Sequence, residues 1–399
     1  MSVVKTGLRH YLHIVVVIVG AGPVGLLLAN LLGLRGIRTT VLERSVSIPP
    51  GSRAIGVMPP SLEILNEAGL VAPFLTAGRT VRRAVVHGTG GAPLGTLQFA
   101  RVHPDFPYVL AIPQVATLEI LEANLTKYPC VTVQRGSDVV GVESDRSGPV
   151  QVTIAGGGTV TGNFCVVAAG VRSGAVAGVE IPRRGGNYNR HFLMADFEDE
   201  SGLGDDAHLW FTRSGAVESF PLPGGRRRWI VQLDSGTPNG QSTPALTRLV
   251  HQRSGYDLTG AAPLWESSFS PSWSLADRFH RDGQIFLAGD AAHTMSPIGG
   301  QGMNTGFADA RHLAAVLEGS HGNSGAAADR EAVARYQRFR QRAATIATGR
   351  AAAGMAVGTL TGPVASALRS GVIAAALNSP LRGSLARHFA MITIPRFAS

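Results

Sequence analysis

Residues 14–19 read Ile-Val-Val-Val-Ile-Val, an unbroken β-branched run that suits a strand covered on both faces of a parallel sheet. The apolar spacing over 24–35 predicts a helix, and 39–43 (Thr-Thr-Val-Leu-Glu) a second strand. Further along, 61–68 reads as a helix stopped at Gly69, 88–95 is rich in turn residues, and Gln114 opens a helical stretch to Thr126. Residues 131–142 and 150–160 predict short strands of a hairpin-rich insertion. From about Asn187 to Phe269 the alternation becomes aromatic-rich. Strands are expected at 208–212, 217–220 and 228–233, in an antiparallel sheet of their own. Residues 284–288 (Gln-Ile-Phe-Leu-Ala) return to a buried strand, and a helix is expected from Gly299 to about Leu317.

Chemistry enters at the strand ends. Gly20-Ala-Gly-Pro-Val-Gly25 lies between the first strand and the first helix, so Gly20, Gly22 and Gly25 supply the tight turn, the close approach to phosphate and the close helix contact of a GxGxxG loop. Glu43 closes the second strand about 20 residues later, where an acidic group receives the ribose hydroxyls of a dinucleotide. The last buried strand runs into Gly289-Asp-Ala-Ala-His, and Asp290 there sits at a carboxyl end, suited to bonding a polyol such as a ribityl chain. Gly299-Gly-Gln-Gly-Met-Asn304 then opens a helix whose unpaired amides favour negative charge on a reduced flavin. His293 reads as a residue that satisfies local backbone groups rather than as a base, and Cys165 as a buried strand residue without chemistry.

The expected fold class is α/β: a Rossmann-like FAD-binding domain (1–75, 100–180 and 276–345), an inserted antiparallel-sheet substrate domain (76–99 and 181–275) and a C-terminal helical region (346–399). A chain of 399 residues that is 44% hydrophobic has enough apolar material for such a core. A formal charge of +9 raises the question of nucleic acid, but the 36 basic residues are nearly all arginine and are scattered. The clusters at Arg82-Arg83, Arg183-Arg184 and 226–228 lack aromatic interleaving, so no nucleic-acid partner is expected. Lys5, Arg9 and His10 before an apolar stretch suggest a secretory leader, yet that stretch contains the glycine loop and the chain has two cysteines; a cytoplasmic protein is expected. Residues 351–377 are alanine-rich, but Pro363 and Arg369 interrupt them. They predict helices packed on the core or at a dimer interface, in a monomer or homodimer without a membrane span.

Together these motifs resemble the para-hydroxybenzoate hydroxylase family of flavoprotein monooxygenases, the class A aromatic hydroxylases, from Gly20 to about Arg350. The resemblance implies FAD as cofactor, NADPH or NADH as reductant, and transfer of one atom of dioxygen through a flavin hydroperoxide, with no catalytic side chain and no metal. It implies an adenosine site at Gly20, Gly22, Gly25, Glu43 and Arg44, with the backbone at Asp138-Val139 meeting adenine. Arg53 of Ser52-Arg-Ala-Ile-Gly56 matches the flavin-contacting arginine and Gln114 the ribityl-side glutamine. Gly289 and Asp290 match the Gly-Asp motif, while Pro297, Gly299, Gly300, Gln301, Gly302, Met303 and Asn304 match the segment beside the isoalloxazine. The family's thioredoxin-like dimerisation domain, found in the phenol hydroxylase branch, is not expected.

One position departs from the family. Its middle motif carries an aspartate where this chain has Ala169, which bears on use of the nicotinamide cofactor rather than on FAD. The substrate pocket is expected between the flavin and the aromatic-rich sheet, with His208, Trp210, Phe220 and Pro297 as candidates. Few fixed charges there suit a bulky aromatic or polyketide-like molecule of secondary metabolism. Alternatives of the same fold are Baeyer-Villiger or other flavin oxidation, and a flavin- or ligand-binding protein impaired in NAD(P)H use. The Trp-x-Trp-x-Ile-Pro signature of flavin halogenases is absent.

Overall fold

The computed structural model describes residues 14–51, 53–144, 148–233, 243–320 and 328–395. Lys5, Arg9, His10 and Ser52 lie outside them. The strand Val15–Val19 pairs in parallel with Phe164–Val167 on one side and Arg38–Glu43 on the other. The sheet extends to Ile285–Leu287 and an antiparallel edge at His280–Arg281 one way, and to Val131–Arg135 the other. Helix Pro23–Leu34 packs between helices Gln114–Leu125 and Gln301–Gly319. Leu26, Leu27, Leu28, Leu31 and Leu32 are sealed in the largest core cluster, which explains why the helix shows almost no polar side.

Two local expectations change. Residues 131–142 are not one hairpin: Val131–Arg135 is the parallel edge of the main sheet, and only Val139–Glu143, Val150–Ile154 and Gly158–Gly162 form an antiparallel meander. Helix Gln114–Leu125 is the crossover that makes parallel pairing with Arg38–Glu43 possible, a long-range choice that strand patterning does not encode. A second helix, Val71–Ala77, follows the one at Pro59–Glu67.

The second sheet has seven strands, in the order Trp265–Phe269, Phe192–Glu198, Arg226–Gln232, Gly215–Leu222, Ala207–Thr212, Arg83–His87 and Pro93–Gln98. Its pairs are antiparallel except Ala207–Thr212 with Arg83–His87. One face is closed by helix Thr243–Ser254, which buries Ala245, Leu246, Leu249 and Val250 against Leu193, Trp210, Val217, Trp229 and Val231. Period-two alternation sends the intervening residues to the opposite face. That face meets strands Arg79–Val81 and Val109–Ala111 and, at one end, the C-terminal helix Pro363–Leu377.

Helix Arg330–Gly358 begins at Asp329, whose carboxylate accepts from Glu331 N at 3.2 Å and Ala332 N at 3.3 Å. Buried Arg369 donates to Leu360 O at 2.5 Å and Thr212 O at 2.9 Å, fixing helix Pro363–Leu377 to the seven-stranded sheet. No helix of the described residues is long and apolar enough to cross a membrane. Cys165 is fully buried in its strand, and burial pushes its thiol up to about 12, so it carries no thiolate at neutral pH.

Candidate functional site

The two glycine motifs, far apart in sequence, meet because two positions have no room for a side chain. A Cβ on Gly306 would lie 2.5 Å from Val24 Cγ2 and 3.1 Å from Gly289 Cα, and one on Gly289 would lie 2.9 Å from Val24 Cγ2. Helices Pro23–Leu34 and Gln301–Gly319 therefore cross in direct contact, with the Gly-Asp turn wedged between them. Within the first motif Gly25 is equally constrained, since its Cβ would fall 2.0 Å from Gly20 O, and Gly20 holds φ +107°. Gly22 is different. A Cβ there meets nothing within 4 Å, so the surface of the loop is open at that residue.

Glu43 braces the loop from below. One carboxylate oxygen accepts from Ala21 N at 2.8 Å and the other from Ser45 N at 2.9 Å, leaving further lone pairs for ribose hydroxyls. Arg44 is exposed beside it, and Val139 is buried at the start of the meander. Gln114, at the first turn of its helix, is half-buried.

Asp290 is open to solvent on one side and enclosed by protein on the others. That enclosure pushes its carboxyl above the usual range, and nearby His293 pulls it back. A Cβ on Gly302 would stand 4.0 Å from Asp290 Oδ1, which places the carboxylate at the start of helix Gln301–Gly319. Gly299 and Gly300, at φ +80° and +62°, turn the chain into that helix, and no side chain caps its first amides. Asn304 ties this turn to the next element: its Oδ1 accepts from Met58 N at 2.8 Å, and its Nδ2 donates to Gly56 O at 2.9 Å and Gly300 O at 2.6 Å. Gln301 is buried with no partner for its Oε1 among the described residues. Met303 packs on the main core, and Pro297 is exposed.

Arg53 leaves the loop after the second strand and spans to the second sheet. Its Nε lies 3.4 Å from Ser267 Oγ, its Nη2 3.3 Å from Ser268 O, and its guanidinium 5.4 Å from the Phe269 ring centre. In return Arg228 Nη1 donates to Arg53 O at 2.9 Å, while its Nε and Nη2 grip Asp196 at 2.6 and 2.8 Å. The Arg53 loop thus docks on the face of the sheet that helix Thr243–Ser254 does not cover.

Three of the four pocket candidates lie on this sheet, and they divide. Phe220 lies on the open face, in register with Arg228. His208 and Trp210 do not: alternation turns them to the helix-covered face, where Trp210 stacks on Trp229 at 5.7 Å and His208 lies 3.0 Å from His87. Trp210 is 1% exposed, so its ring is core. The reading of these two as pocket residues is corrected by a helix the strand pattern gave no hint of.

His293 is also corrected. Rather than a backbone group, its Nε2 meets Asp309 Oδ2 at 2.7 Å, and both side chains are fully buried. Arg340 Nε reaches Asp309 Oδ1 at 2.7 Å and its Nη2 donates to Thr305 O at 3.0 Å. Gly289 N donates to Asp309 Oδ2 at 3.0 Å, so this buried carboxylate holds the Gly-Asp turn. Burial pushes the Asp309 carboxyl up, but His293 and Arg340 outweigh it and hold the group below the usual range. Asp309 and Arg340 escaped the sequence reading; the signal was an acid on the apolar side of the helix opened by Gly299.

Three features fit FAD: an open surface at Gly22 beneath an uncapped helix start, a second uncapped helix start beside Asp290, and the unpartnered Gln301 Oε1. Ala169, where the family carries a carboxylate, begins the turn Gly170–Ala175, and a Cβ on Gly20 would lie 3.1 Å from its Cα.

Comparison with known proteins agrees. A family model described as FAD binding domain matches residues 13–351. Rifampicin monooxygenase of Streptomyces venezuelae is 33% identical over 309 residues, 75% of this chain and 62% of that protein. Anhydrotetracycline hydroxylase from Streptomyces rimosus superposes with a TM-score of 0.75 at 28% identity, covering 96% of this chain and 77% of the other. The p-nitrophenol 4-monooxygenase of Pseudomonas putida DLL-E4 shares the fold at a TM-score of 0.85 and 22% identity, over 96% and 98% of the two chains. The chain spans 54 to 62% of the length of three curated relatives it matches.

Proposed function

The chain belongs to the FAD binding domain family, and on that premise we propose that it is a FAD-dependent monooxygenase that adds one atom of dioxygen to a bulky aromatic substrate of polyketide type. The observation that carries this reading is the arrangement of the uncapped start of helix Gln301–Gly319, Asp290 and the Arg53 loop against the open, largely apolar face of the seven-stranded sheet. FAD, when bound, supplies the oxygen activation, and NADPH or NADH the electrons. The protein's part is to bind, orient and keep water out. In this reading 1–75, 100–180 and 276–345 hold the cofactor, 76–99 and 181–275 the substrate, and 346–399 is a C-terminal helical region. The names of the relatives, which act on rifampicin and anhydrotetracycline, support a multi-ring substrate. Few cysteines, one of them fully buried, support a reducing compartment, and we place the enzyme in the cytoplasm.

Gly20, Gly22 and Gly25 would receive the pyrophosphate, with Glu43 on the ribose, Arg44 beside it and Val139 by adenine. Gln114 and Asp290 would bond the ribityl chain. The segment from Pro297 through Gly299, Gly300, Gln301, Gly302, Met303 and Asn304 would line the flavin ring, with Arg53 across from it. Asp290→Ala tests one of these roles: loss of a charge-assisted hydrogen bond of about 1.5–3 kcal/mol should weaken FAD binding roughly 10- to 100-fold. An unchanged FAD dissociation constant, read by fluorescence titration, removes Asp290 from the site.

The reaction is tested by turnover of aromatic polyketides with NADPH under labelled dioxygen. The product is expected to gain one oxygen carrying the label, with none from labelled water. A product that takes its oxygen from water, or that is rearranged without added oxygen, overturns the monooxygenase reading and leaves the FAD fold standing.

A further inference from the structure

Glu218 occupies an unusual place on the open face of the seven-stranded sheet. Strand pairing sets Leu209, Glu218, Ile230, Met194 and Ser267 in one row across five strands, so their side chains share that face. At the end of the row Arg53 contacts Ser267. Strand spacing puts Glu218 about 14 Å from that end, three strands away at roughly 4.8 Å each. Its neighbours along the strand on the same face are Ala216 and Phe220, and Phe220 packs with Val81 and Val109.

The polar side chains beside it on this face are already engaged. Asp196 and Arg228, in the next row, hold each other, and Gln232 accepts from Ala216 N at 3.2 Å. Glu218 itself is half-buried and, among the described residues, has neither a hydrogen-bond nor an ion-pair partner. Burial pushes its carboxyl up to about 7. A half-buried carboxylate without a donor is only partly solvated, and a ligand that brings an O–H relieves the deficit. On the helix-covered face of the same strand, by contrast, Ser219 accepts from Arg227 at 3.2 Å.

We propose that Glu218 anchors the substrate by accepting a hydrogen bond from a hydroxyl on its aromatic ring, so that the site selects phenols over rings without that group. This deepens the monooxygenase reading and rests on it for the identity of the pocket. Leu209, Ile230 and Phe220, partly buried on the same face, favour a flat aromatic ring system.

Equilibrium dialysis on the FAD-loaded, oxidised protein tests this with 2-naphthol and its methyl ether, 2-methoxynaphthalene, in wild type, Glu218→Gln and Glu218→Leu. Wild type should bind the phenol at least about tenfold more tightly than the ether, the scale of a hydrogen bond to a charged group. Glu218→Leu should lower that preference to within about twofold while leaving ether binding nearly unchanged. Glu218→Gln, which preserves size and fold, should retain only part of it. No preference in wild type, or the full preference in Glu218→Gln, overturns the proposal. Failure of the oxygen-labelling experiment alongside a Glu218-dependent preference would instead overturn the monooxygenase reading and keep Glu218 as a phenol anchor.

Discussion

Gly22→Asp is expected to fold as well as the native chain and to bind FAD about a thousandfold more weakly. Gly22 has φ −76° and ψ 177°, a conformation open to any residue, and a Cβ there meets nothing within 4 Å. The apoprotein should therefore tolerate the new side chain. The pyrophosphate should not, because in the proposed site it would enter over the open surface at Gly22, with its charge stabilised by the start of helix Pro23–Leu34. Two unit charges about 4 Å apart at an effective dielectric near 20 repel by about 4 kcal/mol, which converts to roughly three orders of magnitude in affinity. The measurement is a FAD titration paired with urea unfolding of the apoprotein. Equal affinity in variant and native protein would move the pyrophosphate away from this loop. Gly25→Ala is the contrast: its Cβ would fall 2.0 Å from Gly20 O, so that variant should lose apoprotein stability as well.

Asp309→Ala should remove about 3 to 5 kcal/mol of stability, the usual consequence of breaking a buried ion pair from one side. The change strands the Arg340 guanidinium, His293 Nε2 and Gly289 N in a fully buried site, and none of them gains water in exchange. Urea denaturation of the apoprotein reads this directly, and an unchanged midpoint would show that the cluster contributes nothing. FAD binding should weaken too, since Gly289 N loses the acceptor that fixes the turn carrying Asp290. The pH dependence has a definite sign. Asp309 has its carboxyl held below the usual range, so its contribution is complete above the unfolded value near 4 and fades only as pH falls through the lower folded value.

What local sequence could determine, it did. The run at 14–19, the glycines at 20, 22 and 25 and the terminal Glu43 describe a strand, a tight loop and a carboxylate at a strand end through neighbours in the chain, and the structure sets Ala21 N on the Glu43 carboxylate. Gly299 and Gly300 likewise announce a helix start through backbone conformations that glycine alone adopts readily. Tertiary structure decided the rest. Alternation in Ala207–Thr212 says that Trp210 and Leu209 face opposite ways, but only the arrival of helix Thr243–Ser254 makes Trp210 core and leaves the face of Leu209 and Glu218 clear of that helix. Val131–Arg135 has the same pattern as a hairpin strand, and its crossover helix makes it a parallel edge. His293 and Arg340 lie 16 and 31 positions along the chain from Asp309, the carboxylate that joins them, and no spacing rule links such residues. Periodicity reports how a segment divides between two environments; which environment covers each face depends on contacts between segments that fold together only in three dimensions.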